Sequence, residues 1–173
     1  MDDRRLEFER FVTSSSDGLL RTAYLIVLDL PEAEDLVQDT LWKVAKRWPR
    51  VRRMEHPVAY ARRILVNLAT SGAPRRSRRR RELEHAPMLE LGDRADGSDA
   101  LGANDQLMTA LAALPLRQRS VLVLRYFLDL PEAEVAAVLQ CSLGTVKSTA
   151  SRGLARLEQT LRATNDDPRS VTP

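Results

Sequence analysis

Six side chains that could bind a polyanion crowd one short stretch: Lys147, Ser148, Thr149, Ser151, Arg152 and Arg156. Lys and Arg donate to guanine edges and to phosphates, and Ser and Thr can serve either role, so this set suits reading a duplex in its major groove. The same residues also suit a plain solvated basic helix in a bundle. The surrounding sequence, PEAEVAAVLQCSLGTVKSTASRGLARLEQTL over residues 131–161, narrows the choice. Pro131 fits a helix start, with Glu132 and Glu134 beside the positive end of its dipole. Val135, Ala136, Val138 and Leu139 give that helix an apolar face, and residues 140–144 break the pattern. Val146, Ala150, Leu154 and Leu157 then recur at steps of three and four. A short helix, a small-residue turn and a basic second helix read as a helix-turn-helix.

Three further constellations could make contacts. Asp35, Gln38, Asp39, Trp42 and Lys46 share one face of a predicted helix over residues 31–48, opposite the apolar stripe of Ala33, Leu36, Val37, Leu41, Val44 and Trp48. A Trp in a polar ring is either a binding anchor or an indole folded back on a neighbouring helix. Next, Tyr60, Arg62, Arg63 and Asn67 come after a basic, proline-bounded connection over residues 49–57 that contains Arg52 and Arg53. Aromatic, amide and guanidinium groups together suit unpaired bases, and they equally suit a solvated face. Last comes Arg75-Arg76-Ser77-Arg78-Arg79-Arg80-Arg81, a run dense enough for phosphate contacts or for a solvated helix end.

The elements that carry these groups are helices. Ala, Leu, Arg and Glu abound, Gly is scarce, and no stretch sustains the period-two alternation of a strand, which predicts an all-α protein. Leu6, Phe8, Phe11 and Val12 begin a first helix; Ser14-Ser15-Ser16-Asp17 predicts a break and an N-cap before a second. The hexapeptide Asp-Leu-Pro-Glu-Ala-Glu occurs at residues 29–34 and again at 129–134, as a shared helix-start signature. After the Arg run, acidic residues dominate and apolar periodicity lapses, so the domains are expected at 1–81 and 103–162, with an acidic flexible linker over 82–102 and a disordered tail over 163–173. Leu107, Leu111, Leu114, Val121, Leu124 and Phe127 are the expected core of the second domain.

Composition also excludes. The 173 residues carry a net charge of +3 with a pI near 9.4, and clustered positive charge implies a polyanionic partner. One cysteine forbids an internal disulfide, and two distant histidines offer no metal cluster, so neither cofactor nor metal is expected. No nucleophile and base stand in a catalytic motif and no Gly-rich phosphate loop occurs, so no enzyme is expected. The absence of a signal core and of a long apolar run points to a cytoplasmic protein that does not insert in a membrane.

The order of these parts resembles that of a bacterial RNA polymerase sigma factor of the extracytoplasmic-function group, SigE-like and actinobacterial. AEDLVQDTLWKVAKRW over residues 33–48 is similar to the polymerase-binding part of region 2, and AYARRILVN over 59–67 with the Arg run is similar to the promoter-melting and −10 segment. LPLRQRSVLVLRYF and AEVAAVLQCSLGTVKSTASRGLARL resemble region 4, which binds the −35 element. The resemblance implies that Asp35, Gln38, Asp39 and Trp42 meet core RNA polymerase. It implies −10 DNA at Arg52, Arg53, Tyr60, Arg62, Arg63 and Asn67, and phosphates at Arg78, Arg79, Arg80 and Arg81. It further implies −35 DNA at Lys147, Ser148, Thr149, Ser151, Arg152 and Arg156. Core polymerase and promoter DNA are the implied partners, with an anti-sigma factor as a further candidate. Two departures stand out: Tyr60-Ala61 where many relatives carry Trp-Leu, and residues 70–74 where relatives have an aromatic-rich approach. Without the resemblance, a stand-alone helix-turn-helix regulator and an Arg-rich RNA-binding protein remain open.

Overall fold

Serines that could have ended the first helix are instead absorbed by it. In the computed structural model, which describes residues 3–71 and 98–165, α1 runs unbroken over Asp3–Val27. Ser14 and Ser15 donate to Phe11 O at 3.1 and 2.7 Å, and Ser16 donates to Val12 O at 2.7 Å. Each hydroxyl is satisfied by the preceding turn, so the break expected at Ser14 to Asp17 is absent. The helix ends where Leu28 adopts a left-handed φ of 57°.

Asp29 then caps α2 (Leu30–Lys46), accepting from the backbone N–H of Glu32 at 2.8 Å. The stripe expected on α2 is the buried one: Ala33, Leu36, Val37 and Val44 all face inward against α1 and α4 (Pro57–Thr70). Arg47 interrupts the helix one residue before Trp48, which opens the short α3 (Trp48–Val51). The connection expected over residues 49–57 therefore begins helically before it turns. Trp48 is buried, its ring 5.2 Å from that of Phe8 and 5.1 Å from that of Phe11, with its indole N–H on Arg4 O at 3.2 Å.

The second unit starts with α5 (Ser98–Ala112), so helix already occupies the end of the stretch expected as linker. After Pro115 come α6 (Leu116–Leu122) and a π-helical turn (Val123–Phe127), where Leu128 N–H reaches back five residues to Val123 O at 3.1 Å. One extra residue in the turn rotates the side chains beyond it about the helix axis. Phe127, expected in the core, is therefore 50 % exposed, while Leu124 is fully buried. Leu107 is likewise an exception to the expected core, since α5 turns the neighbouring Met108 and Leu111 inward instead.

The repeated hexapeptide folds in two ways. At its second occurrence Asp129 has a φ of 51° and caps nothing; Pro131 becomes the N-cap, and α7 (Glu132–Leu139) starts two positions later in the motif than α2 does. The hexapeptides are identical, so the difference comes from what precedes them: Leu130 is tied to the π turn just before it, its N–H on Leu124 O at 3.0 Å and its carbonyl accepting from Arg125. Gln140 then takes a left-handed φ of 52° and α8 (Leu143–Asn165) begins, with Ser142 Oγ accepting from Thr145 N–H at 3.1 Å. The turn is thus residues 140–142, and Gly144 belongs to the helix. The Arg run, most of the acidic stretch and residues 166–173 lie outside the described residues.

The two tryptophans separate structure from surface. Trp48→Ala is expected to cost about 3–5 kcal/mol of unfolding free energy, as for an emptied aromatic core site. Trp42→Ala, on an exposed ring, should stay within about 0.5 kcal/mol. Urea denaturation of both variants checks this.

Candidate nucleic-acid and polymerase interfaces

α8 owes its outward face to what it buries. Val146, Thr149, Ala150 and Gly153 are buried and Leu157 half-buried, a stripe at steps of three and four that lies against α6 and α7. Gly153 makes the approach close: a Cβ there would stand 3.2 Å from Leu122 Cγ. Leu154, expected on this inner side, is 40 % exposed because Gly153 takes its place. Thr149 is 4 % exposed, so the structure removes it from the candidate DNA contacts.

What remains outside is Lys147, Ser148, Ser151, Arg152 and, further along, Arg156, all exposed. Ser148 Oγ donates to Thr145 O at 3.2 Å and Arg152 Nε to Ser148 O at 3.1 Å, which fixes the stem of the guanidinium along the helix. Lys147 Nζ lies 3.7 Å from Glu132 Oε2 at the start of α7. The first turns of α8 thus present an ammonium, two hydroxyls and a guanidinium on one exposed edge, with the helix's own N-terminus beside them.

On α2 the expected polar face is also outward. Gln38, Asp39 and Trp42 are exposed and Asp35 is half-buried. Trp42, at 59 % exposure, is not folded back on a neighbour; it carries Lys46 Nζ 3.3 Å from its ring centroid. An indole held in water one helical turn from a carboxylate is a large apolar area awaiting a partner.

The −10 candidates divide. Arg53 and Arg63 are exposed, and Tyr60, Arg62 and Asn67 are half-buried on α4. Arg52 is committed elsewhere: its guanidinium pairs with Glu7 of α1, so it ties α1 to the turn after α3. Between the end of α2 and α4 runs a groove of about 420 Å³ lined by Lys43, Lys46, Arg47, Ile64, Asn67, Leu68 and Ser71. Arg47 Nη1 also donates to Tyr60 Oη of α4 at 3.0 Å. Lys43 and Arg47 escaped the sequence reading because they sit on the helix with the carboxylates; only folding brings them beside α4. Arg78, Arg79, Arg80 and Arg81 lie outside the described residues. No three His, Cys, Asp or Glu side chains converge as a metal site among the described residues.

The division of the arginines is testable by salt titration of DNA binding. Arg53→Ala is expected to reduce the slope of log affinity against log salt by up to about 0.7 for a lost single-strand phosphate contact. Arg52→Ala should leave the slope unchanged and lower unfolding stability by about 0.5–1 kcal/mol, since its ion pair is partly exposed.

Comparison with known proteins finds the family description "Sigma-70 region 2" over residues 11–81 and "Sigma-70, region 4" over residues 104–157. The RNA polymerase sigma-E factors of Streptomyces avermitilis and Streptomyces coelicolor are each 38 % identical over 168 residues, covering 96 % of this chain and 91 % and 92 % of theirs. Among solved structures, the sigma factor RpoE of Bartonella quintana, in complex with the anti-sigma factor NepR, aligns with a TM-score of 0.69 at 26 % identity, over 90 % of this chain and 97 % of that one.

Proposed function

This chain belongs to the sigma-70 family as a transcription initiation factor of the extracytoplasmic-function group, and from that premise we propose which of its surfaces does what. The exposed face of α2, with Asp35, Gln38, Asp39 and Trp42, binds core RNA polymerase. The N-terminal part of α8, with Lys147, Ser148, Ser151 and Arg152, reads the −35 element in the major groove, and Arg156 holds a phosphate. Arg53, Tyr60, Arg62, Arg63 and Asn67 receive the unpaired −10 strand, with Lys43 and Arg47 along the adjoining groove, and Arg78 to Arg81 contact phosphates. The polymerase supplies the chemistry and this chain the address. The observation that carries the reading is the exposure of Trp42 and of the α8 edge on two separate surfaces of one chain, one acidic and apolar, the other cationic.

We assign the first of these roles to a domain over residues 1–81 and the −35 role to one over 103–162. We place the protein in the cytoplasm, where core polymerase is; among the described residues no helix is long and apolar enough to cross a membrane. An anti-sigma factor is a further proposed partner, supported by the complex in which the Bartonella relative was solved.

Each surface can be tested by substitution. Asp39→Arg combined with Trp42→Ala removes a central anchor and reverses a charge, and should weaken core-polymerase affinity at least about 30-fold, equivalent to roughly 2 kcal/mol. Fluorescence titration with purified core measures it, and wild-type affinity would sink the α2 assignment. At the other surface, Lys147→Ala and Arg152→Ala should each relax base preference at particular −35 positions by about 1–3 kcal/mol. Arg156→Ala should weaken all sequences alike. Selection of promoters from a randomised −35 library by each holoenzyme, read out by run-off transcription, separates these; unchanged preferences in both base-reading variants would refute the recognition-helix assignment.

A further inference from the structure

We propose that Leu143, the first residue of α8, reads the methyl group of a thymine in the −35 element, close to the base read by Lys147. The inference rests on the assignment of α8 to the −35 major groove made above.

Leu143 is 49 % exposed, whereas Leu139, Cys141 and Val146 around it all pack into the core. A lone exposed leucine is ordinary on a protein surface. Its position sets this one apart. Ser142 Oγ accepts from Thr145 N–H at 3.1 Å and pairs with Thr145 Oγ1 at 2.9 Å, which makes Ser142 the N-cap and Leu143 the first helical position. An apolar residue just before an N-cap often packs on the fourth residue of the helix, and here those two positions are held by Cys141 and Val146. Leu143 has no part in that staple. Gly144 next to it adds no side chain to cover it, and nothing crowded within the protein calls for a glycine, since a Cβ there would stand at an ordinary 3.8 Å from Ser142 Oγ. The isobutyl group is therefore bare at the end of the helix whose N-terminal residues enter the groove in this motif.

Periodicity aligns it with the cationic edge. Leu143, Lys147 and Ser151 follow one another at steps of four along α8 and are all exposed, so their side chains form one row. Four residues advance a helix by about 6 Å, just under two base-pair steps of about 3.4 Å, and the bases met by Leu143 and Lys147 are thus within about two pairs of each other. Chemistry then selects the base. Leucine has neither donor nor acceptor, so against guanine N7 and O6, or against the amino groups of adenine and cytosine, it would cover polar atoms without satisfying them. The major-groove edge offers one apolar group, the C5 methyl of thymine. Leu143 therefore favours thymine over the other three bases, while Lys147 and Arg152 supply donors to the polar edges beside it.

The test uses holoenzyme assembled from core polymerase and the full chain. Selection from a randomised −35 library is expected to return a thymine, on either strand, within about two base pairs of the position that Lys147→Ala relaxes. Each thymine of the selected element is then replaced singly by uracil, which deletes the methyl and keeps the pairing. Wild-type holoenzyme should lose about threefold to fivefold in affinity at that position, the worth of roughly one buried methyl. Leu143→Ala should bind thymine and uracil there alike with an unchanged urea midpoint, and Leu143→Met, which keeps a long apolar side chain, should retain the discrimination. An element with no thymine near the Lys147 position, no loss on uracil substitution, or a loss that persists undiminished in Leu143→Ala overturns the methyl contact. So does a Leu143→Ala chain that weakens thymine and uracil probes equally and keeps their ratio, the sign of a residue serving the fold or a protein partner. If Lys147→Ala and Arg152→Ala both leave base preference unchanged, the groove assignment of α8 falls and the contact with it; if they relax it while wild type binds thymine and uracil alike, the methyl contact alone fails.

Discussion

Burial of one apolar stripe per helix is what aims every functional side chain in this protein. A helix with 3.6 residues per turn that buries Leu36, Val37 and Val44 has no freedom left in where it sends Asp39 and Trp42. The same holds for α8, where Val146, Ala150 and Gly153 go inward and Lys147, Ser151 and Arg152 are carried outward. No strand, metal or disulfide assists among the described residues. The orientation of both surfaces is a consequence of packing, so a change to a buried residue of α2 or α8 acts on binding without touching a partner.

This explains which features were legible. Stripes on α2 and α8 show in the sequence because periodicity and burial are the same information, and the all-helical class comes from it. What failed to show depended on neighbours. The serines of α1 look like a cap until their hydroxyls are seen on Phe11 O and Val12 O. The identical hexapeptides start their helices at different positions because only the second is tied to a π turn. Thr149 looked like a contact residue because hydroxyls sit easily on either side of a helix, and Leu154 looked buried because leucine usually is. The glycine near both inverts these expectations by letting Leu122 approach.

Arginine is the residue type whose role the sequence distinguished least. Arg52 is paired with Glu7, Arg119 holds two helix ends, and Arg125 holds the Leu130 carbonyl, while Arg53, Arg63 and Arg156 face solvent. Composition assigns all of them to a polyanion, and the fold takes several for itself. A guanidinium has five donors in a rigid fork, so it serves backbone carbonyls as well as phosphates. The groove beside α4 shows the converse: Lys43 and Arg47 read as the basic end of an acidic helix and gain a second meaning only beside Asn67.

Strength of engagement then separates the residues that change partners from those that hold the fold. Lys147 and Glu132 stand 3.7 Å apart with 66 % and 36 % of their side chains exposed, a pair worth about 0–1 kcal/mol in water. Giving it up for a base edge or a phosphate costs little, and until then the carboxylate restrains the ammonium near the start of α8. Lys46 over the exposed Trp42 ring is of the same weak kind, about 0.5–1 kcal/mol at an exposed site. The bonds of Arg119 are different, because a helix-end carbonyl beside the fully buried Ile26 has poor access to water and loses a charged donor if they break. The weak pairs therefore lie on the surfaces proposed to meet polymerase and DNA, and the Arg119 bonds lie where the two helical units meet, so partner exchange at those surfaces can proceed without disturbing the packing within either unit.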